Sequence, residues 1–457
     1  MIHRNGLVWV AMFAVIALMF LQLPPMAAKQ DSVYHTYSAL VEVDALARQK
    51  FVVPIEGDKL VDGAIRGMMY QLDPYSGYIA PDELAAFDRR SKGVFIGVGI
   101  ELGMRAGEPI VIAPIDGSPA AKAGVRAGDV MIAIDGKSLQ DRAVFDIEEM
   151  LVGRAGTPVT VTVRRVAETA HVTIEMVRGP VSVSSVRGFR RLEGGTWDFM
   201  LEPETRIGYI RVSSFRENTQ RDFARALSEL LKGGARALIL DLRFNPGGLM
   251  EQAIEMVDRF VDSGVILSTV TRRRAVDEYR AKSPDTADEI AIVVLIHGSS
   301  ASSAEIVAGS LQALGRAVVV GERSFGKGSV QHMIRLTGHR SAIKLTVAYY
   351  RLPDGRIIHR TAENSASDAW GILPDVEVVL SSDEVRALQA SRHAIDTAGP
   401  ALAQDRDHPE ATASGYTREL IRDRQLSEAI RQARDLLAGR TAPTRLSKHA
   451  TTYRNQP

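Results

Sequence analysis

The residues best suited to chemistry lie in one stretch, Ile296 to Gln331, which reads IHGSSASSAEIVAGSLQALGRAVVVGERSFGKGSVQ. It holds four closely spaced serines, Ser299, Ser300, Ser302 and Ser303, and one lysine set between glycines, Lys327. A serine hydroxyl is a poor nucleophile until a base takes its proton. Lysine can be that base only when neutral, a state favoured by burial away from carboxylates. Lys327 sits in Phe325-Gly326-Lys327-Gly328, apolar and without an adjacent acid. The plainer alternative is a surface lysine in a glycine turn. The residue types point to Ser–Lys acyl transfer but do not rank the four serines.

The surrounding pattern supplies the elements that must position these groups. An apolar strand (Ile290 to Ile296) enters the serine turn, and a helix follows from Ala304 to Leu314. A second strand, Ala317 to Val320, breaks at Gly321 and delivers Lys327. At a strand-to-helix turn a serine is exposed beside the free N–H groups of the helix start, which suits an oxyanion. Upstream, strands at Gly208 to Val212 and Ala237 to Leu242 alternate with helices at Gln220 to Leu231 and Leu249 to Val261, an α/β pattern. Between the last strand and helix lies Arg243-Phe244-Asn245-Pro246-Gly247-Gly248. Its backbone N–H groups could face an anion, or the turn could simply connect the two elements. Further strands are expected at Ile343 to Tyr350 and Ile357-Ile358.

From Gly93 to Arg178 the character changes to short β-rich runs: Phe95 to Leu102, Ile110 to Ala113, Val130 to Ile134, Val159 to Arg164 and His171 to Met176. Short helices are expected at Ser118 to Gly124 and Val144 to Val152. Together they describe a small β-barrel with two helices. The series S-P-A-A-x-A-G-x-x-x-G-D-x-x-x-x-I-D-G-K, from Ser118 to Lys137, resembles a PDZ domain. That resemblance implies that an extended peptide adds a strand to a sheet edge and that loop N–H groups catch its terminal carboxylate. The corresponding loop is Phe95-Ile96-Gly97-Val98-Gly99-Ile100, with Gly97 to Ile100 as the peptide-binding residues; its glycines permit close backbone approach, or they merely turn a strand. As a phosphate loop it fails, because Gly103 comes one residue late for G-x-G-x-x-G.

The chain has 457 residues, 45% hydrophobic and 24% charged, enough for several domains. Its net charge of +1 gives no support to nucleic-acid binding. It has no cysteine, which removes disulfides, thiol nucleophiles and thiolate metal sites, and its ten histidines show no metal-ligand spacing. No metal and no cofactor is expected. At the N-terminus, His3 and Arg4 precede an apolar run from Leu7 to Leu23, followed by Pro24-Pro25-Met26-Ala27-Ala28. This reads as an export signal, or as an anchor if it is retained. Amphipathic helix patterns run from Asp31 to Ser91, including a short charged helix at Pro81 to Arg90. The tail from Ser381 is polar, loosely structured from Gly399 to Gly415. Thr417 is set to cap a late helix carrying Leu420, Ile421, Leu426, Ile430 and Leu436 on one face.

The ordered motifs L-D-P-x-S at Leu72, the PDZ module, D-L-R-x-N-P-G-G at Asp241, the serine stretch ending in Glu305, G-K-G-x-x-Q at Gly326 and G-I-x-P-D-V at Gly371 resemble the carboxyl-terminal processing peptidases. The resemblance covers Tyr37 to Val379 and implies an exported Ser–Lys endopeptidase carrying an inserted PDZ domain. By position it makes Ser302 the nucleophile, Lys327 the base and Gln331 the residue orienting the lysine. The backbone N–H groups of Gly248 and Ser303 become the oxyanion donors. It implies a mixed α/β, ClpP/crotonase-like core at 181–380, with a signal or anchor at 1–28, a helical region at 29–91 and a PDZ domain at 92–180. A tail at 381–457 is then the segment for interaction or self-association. Substrates would be proteins or peptides with accessible C-termini, in the periplasm, and an adaptor protein is a candidate partner.

The sequence departs from the family pattern in three places. Ser303-Ala304 replaces Ala-Ser after the nucleophile, Phe244 replaces an asparagine, and Val152 stands where many relatives have arginine. Two other catalytic readings compete. Ser324-Phe325-Gly326-Lys327 spells S-x-x-K, which needs one helical turn that the glycines oppose, and no S-D-N or K-T-G accompanies it. A Ser–His site using His297 or His332 has no supporting spacing. The alternative of another class is an inactive exported scaffold that binds peptide C-termini through its PDZ domain.

Overall fold

A computed structural model describes residues 26–440 except 82, 85–86, 89–92, 106, 166–169, 193–195, 274–275, 283–285, 288 and 398–422. The expected export signal, the Thr417 cap with Leu420 and Ile421, and the loose stretch at 399–415 lie outside these residues, as does part of the charged helix at 81–90. Among the described residues no helix is long and apolar enough to cross a membrane. The chain divides into two units, residues 1–80 with 333–345, and the remainder.

The smaller unit holds helices α1 (Met26–Lys50) and α2 (Lys59–Tyr70) and strand β1 (Gly77–Ile79). The turn between α2 and β1 forms because the Asp73 carboxylate accepts from the N–H groups of Tyr75 and Ser76 at 2.7 and 2.8 Å. β1 pairs antiparallel with the start of strand β21 (Ala342–Arg351), Gly77 opposite Lys344.

The larger unit begins with the β-rich module. Its elements are β2 (Val94–Gly97), β3 (Ile100–Arg105), β4 (Glu108–Pro114), α3 (Pro119–Lys122), β5 (Val130–Ile134), β6 (Lys137–Ser138), α4 (Val144–Leu151), β7 (Pro158–Arg164), β8 (His171–Val177) and β9 (Gly179–Ser182). The main sheet runs β3-β4-β5-β7-β8, so β3 is an edge strand, while β2 pairs with β9. Alternating burial along β7 sends Val159, Val161 and Val163 into a core shared with Leu102 of β3 and Ile147 and Leu151 of α4. The single run expected over Phe95 to Leu102 is two strands. Gly99 breaks it, with φ of +80° and so little room that a Cβ would stand 2.4 Å from that of Ser118.

The α/β region follows as β10 (Val186–Arg187), β11 (Arg190–Arg191), β12 (Trp197–Asp198), β13 (Met200–Glu202), β14 (Ile207–Val212), α5 (Thr219–Lys232), β15 (Ala237–Asp241), α6 (Met250–Asp258), β16 (Val265–Thr271), β17 (Val276–Arg280), β18 (Ala291–Ile296), α7 (Ser303–Ala313), β19 (Ala317–Gly321), β20 (Ser329–Arg335), β21, β22 (Val376–Glu377), α8 (Ser382–Thr397) and α9 (Arg424–Leu437). Strands β14, β15, β18, β19 and β22 are parallel neighbours, with β10 and β13 antiparallel on β14. β14 and β15 are buried along their whole length, as expected of largely apolar parallel strands covered on both faces, and they carry Arg211 and Asp241 into the interior. One face carries α5, α6 and α7 through Phe223, Leu227, Met256 and Val307. The other is covered by Leu426, Ala429 and Ala433 of α9.

The ClpP/crotonase-like core expected from the sequence is corrected. Strand–helix alternation is a local pattern shared by many α/β cores, and it says nothing of what else packs on them. Here an antiparallel β17-β16-β21 layer and a C-terminal helix complete the core. β16, β17 and β20 lack clean alternation and escape a sequence reading. Ile357-Ile358, expected as a strand, lies in irregular chain.

Candidate active site

The serine turn joins β18 to α7, and Ser302 is the residue before the helix. Its φ of 55° is the left-handed region, costly for a side chain and held by the contacts around it. Its N–H donates to the Glu305 carboxylate at 2.8 Å. The other serines have structural duties. Ser300 Oγ donates to the Leu242 carbonyl at 2.8 Å, Ser303 Oγ donates to that of Gly248 at 2.9 Å, and Ser299 is on the exposed bend.

Lys327 arrives on the irregular loop between β19 and β20. Its Nζ donates to Gln331 Oε1 at 2.7 Å, and the Gln331 amide donates in turn to Ser329 Oγ at 2.9 Å and Thr346 Oγ1 at 3.2 Å. These bonds settle which way the amide points, oxygen toward the lysine.

Two residues that sequence reasoning did not assign bring the serine and lysine segments together. Glu305 is fully buried, and its Oε2 accepts from both the Ser302 and Lys327 N–H groups, each at 2.8 Å. Its Oε1 accepts from Gly326 N–H at 2.7 Å and Ser324 Oγ at 2.5 Å. Burial pushes the Glu305 carboxyl above its ordinary range, while the four donors oppose the shift. Tyr350, 1% exposed, directs its hydroxyl toward the carbonyls of Lys327 at 2.8 Å and Ser302 at 3.3 Å. The S-x-x-E spacing from Ser302 is a capping-box signal that could have found the first Glu305 bond. Nothing local announces the bonds to the lysine loop.

Ser324 and Lys327 are not on a helix, and the Ser324 hydroxyl is engaged with Glu305 and the Ile372 N–H. The S-x-x-K reading fails on both counts. His297 packs on Phe244, and burial chiefly lowers its pKa.

The glycine turn after β15 lies directly against the serine turn. A Cβ on Gly247 would come within 2.6 Å of Ser302 Cβ and 3.0 Å of the Ser303 nitrogen. A Cβ on Gly248, whose φ is 144°, would meet the Phe215 carbonyl oxygen at 2.0 Å, so only glycine fits. Ala301 N–H donates to the Asn245 carbonyl at 2.9 Å, and Asn245 braces the turn through Val212 and Gly247 at 2.8 Å each. Among the described residues, the N–H groups of Gly248 and Ser303 donate to no acceptor.

Beneath this turn is a buried ion network. Asp241 and Arg243, both within 2% of full burial, pair at 2.7 Å, and Arg243 also pairs with Asp423 at 2.8 Å. Burial alone would raise the Asp241 carboxyl, but the Arg243 and Arg392 charges outweigh it and hold it far below its usual range. The turn that presents Gly248 therefore stands on charges from the C-terminal segment.

In the β-rich module, Gly97, Val98, Gly99 and Ile100 are buried. Val98 and Gly99 carbonyls accept from Ala120 and Ile115 at 2.8 Å, and Gly97 bridges to Val152 at the end of α4. Arg178 closes this end by donating to the Met150 carbonyl at 2.8 Å and the Leu151 carbonyl at 3.3 Å.

A serine turn, a part-buried lysine loop and a glycine turn on an α/β core, beside a PDZ-like module, are the arrangement of a serine-type peptidase class. Family models agree: peptidase family S41 matches residues 206–378, a PDZ domain residues 110–165, and the activating protease CtpB N-terminal domain residues 21–83. The chain is 38% identical over 354 residues to the carboxy-terminal-processing protease of Bartonella bacilliformis, covering 76% of each. It is 35% identical to the carboxy-terminal processing protease CtpA of Bacillus subtilis, covering 71% of this chain and 65% of that one. Among solved structures it is similar to a photosystem II D1 C-terminal processing protease, 30% identical over 72% of this chain and 84% of that one, with a TM-score of 0.42. The chain belongs to the carboxy-terminal processing peptidases of family S41. Its core is thus assigned to peptidase family S41, which replaces the ClpP/crotonase-like expectation. The protein is an exported serine-type endopeptidase whose PDZ domain recognises substrate C-termini.

Proposed function

We propose that Ser302 is the nucleophile, Lys327 the general base and Gln331 the residue that aims it, with Gly248 and Ser303 N–H groups as the oxyanion hole. The observation carrying this reading is the single Glu305 oxygen that accepts from both the Ser302 and Lys327 N–H groups. Ser302 Oγ attacks the scissile carbonyl while neutral Lys327 Nζ takes its proton. The carbonyl oxygen becomes an oxyanion between the two N–H donors. Collapse passes the proton from Lys327 to the departing amine and leaves an acyl-serine. Lys327 then takes a proton from water as it attacks the ester, and collapse of the second oxyanion returns that proton to Ser302 Oγ and frees the acid.

Substrate reaches this site after its C-terminal carboxylate meets the N–H groups at Gly97–Ile100, with its last residues laid along β3. The protein works in the periplasm, released or held by its N-terminal segment, and the terminal segments are the surfaces for an adaptor or a second copy. Cell fractionation and sedimentation check these placements.

The deciding test is proteolysis of β-casein with parallel fluorophosphonate labelling. Ser302→Ala and Lys327→Ala should each abolish turnover, since paired groups act as one unit and their effects do not add. Gln331→Ala should keep a remnant of activity. Wild-type turnover by Lys327→Ala would sink the Ser–Lys assignment.

A further inference from the structure

Helix α8 lies beyond the S41 match, yet one of its side chains reaches the glycine turn. Arg392 Nη1 donates to the Arg243 carbonyl at 3.2 Å, and Nη2 bonds Asp241 Oδ2. The same guanidinium lies over the Phe244 ring, 5.1 Å from its centroid, and that ring packs on His297 at 4.5 Å. The carbonyl that Arg392 holds belongs to the peptide entering Phe244, whose φ is 63°. A left-handed aromatic residue is strained, so its conformation persists only where neighbours over-determine it. Arg392 grips both sides of that strain, the ring by cation–π contact and the preceding peptide by hydrogen bond. The peptide plane there sets the path through Asn245 and Gly247 to the Gly248 N–H.

We propose that Arg392 is a positioning residue for the oxyanion turn, so that a helix outside the catalytic core sets how well the tetrahedral oxyanion is held. This rests on Gly248 being an oxyanion donor. The oxyanion exists only along the reaction path, so a tilted Gly248 N–H lowers kcat and leaves KM nearly unchanged. A purely structural ion pair would lower stability and leave kcat of the folded enzyme intact.

The test uses the full-length protein with β-casein as substrate and a fluorophosphonate probe, well below each variant's melting temperature. Arg392→Ala should lower kcat by about 10- to 100-fold, toward the effect of losing one oxyanion donor, with KM little changed. Probe labelling should slow in parallel. Arg392→Lys keeps a charge for Asp241 but lacks the planar fork. It should restore the melting temperature while leaving kcat low. Arg386→Ala, on the exposed side of the same helix, should match wild type. Normal kcat in Arg392→Ala, or full recovery of kcat by Arg392→Lys, overturns the proposal. Ser302→Ala run beside them separates the two levels. Proteolysis by that variant would remove the underlying assignment, whereas a dead Ser302→Ala with a fully active Arg392→Ala rejects Arg392 alone.

Discussion

The two glycine-rich sites of this chain are held by opposite means. At the catalytic turns the backbone is fastened by buried charge, with Glu305 accepting four hydrogen bonds and Asp241 and Arg243 paired beneath the glycines. At the PDZ loop, Gly97–Ile100 is held by backbone bonds and the packing of Val98, and the Arg178 guanidinium grips the adjacent α4. The contrast follows from the two tasks. Catalysis tolerates little displacement, since a misplacement of about 1 Å can cost ~100-fold in rate. On the proposed reading, a loop that is buried in this conformation must yield before a carboxylate can reach its N–H groups, and non-directional packing yields more readily than a charge-assisted bond. The family position for an arginine at the end of α4 is Val152 here. Arg178 reaches the same end from the strand leading out of the module.

The largest effect that would sharpen this comparison is at Glu305. Glu305→Gln keeps the size but turns one acceptor oxygen into a donor facing backbone N–H groups. Each buried donor left unmet costs about 1–3 kcal/mol. Turnover and fluorophosphonate labelling should fall by about 100-fold or more, with a lower melting temperature. Unchanged labelling would show that charge does not hold the catalytic turns.

Gly99→Ala should have a smaller and more local effect. Its φ of +80° and the 2.4 Å approach of a Cβ to Ser118 distort the ligand loop. Calorimetry on the full chain should show weaker binding of a free-acid peptide and little difference between acid and amide forms. Active-site labelling should persist. If labelling is lost with peptide binding, the two sites are not separately held and the comparison breaks.

The smallest effect is expected at the surface, where Glu384 on α8 pairs with Arg424 on α9 at 2.6 Å. The hydrogen bond from Arg424 leads in lowering the Glu384 pKa from 4.5 to about 2. A depressed carboxylate stabilises the fold above its unfolded value and loses that contribution as pH falls through the folded one. The melting-temperature gap between wild type and Arg424→Ala should therefore shrink between pH 4.5 and about 2. Salt should shrink it as well, because the pair is exposed. A gap that persists at pH 2 would mean that Arg424 acts through its bond to the Val379 carbonyl instead.

By itself the sequence determined the elements that carry the chemistry. The strand expected at Ile290 to Ile296 forms at Ala291–Ile296, the helix at Ala304 to Leu314 forms at Ser303–Ala313, and the break at Gly321 ends β19. These are local matters of hydrophobic period and glycine placement, legible within a dozen residues. It also placed Ser302, Lys327 and Gln331 in an order that made them candidates. Only the tertiary structure decided what holds them. Ser300 and Ser303 are set apart by carbonyls of the β15 turn, and Tyr350 reaches both the serine and lysine segments from a distant strand. The tail supplies the apolar face of α9 that its sequence pattern announced, but also Arg392 and Asp423, which nothing in the pattern marked. Arg243 and Asp423 carry no local mark of their partnership, because an ion pair across so long a separation in sequence exists only once the sheet and its last helix have packed.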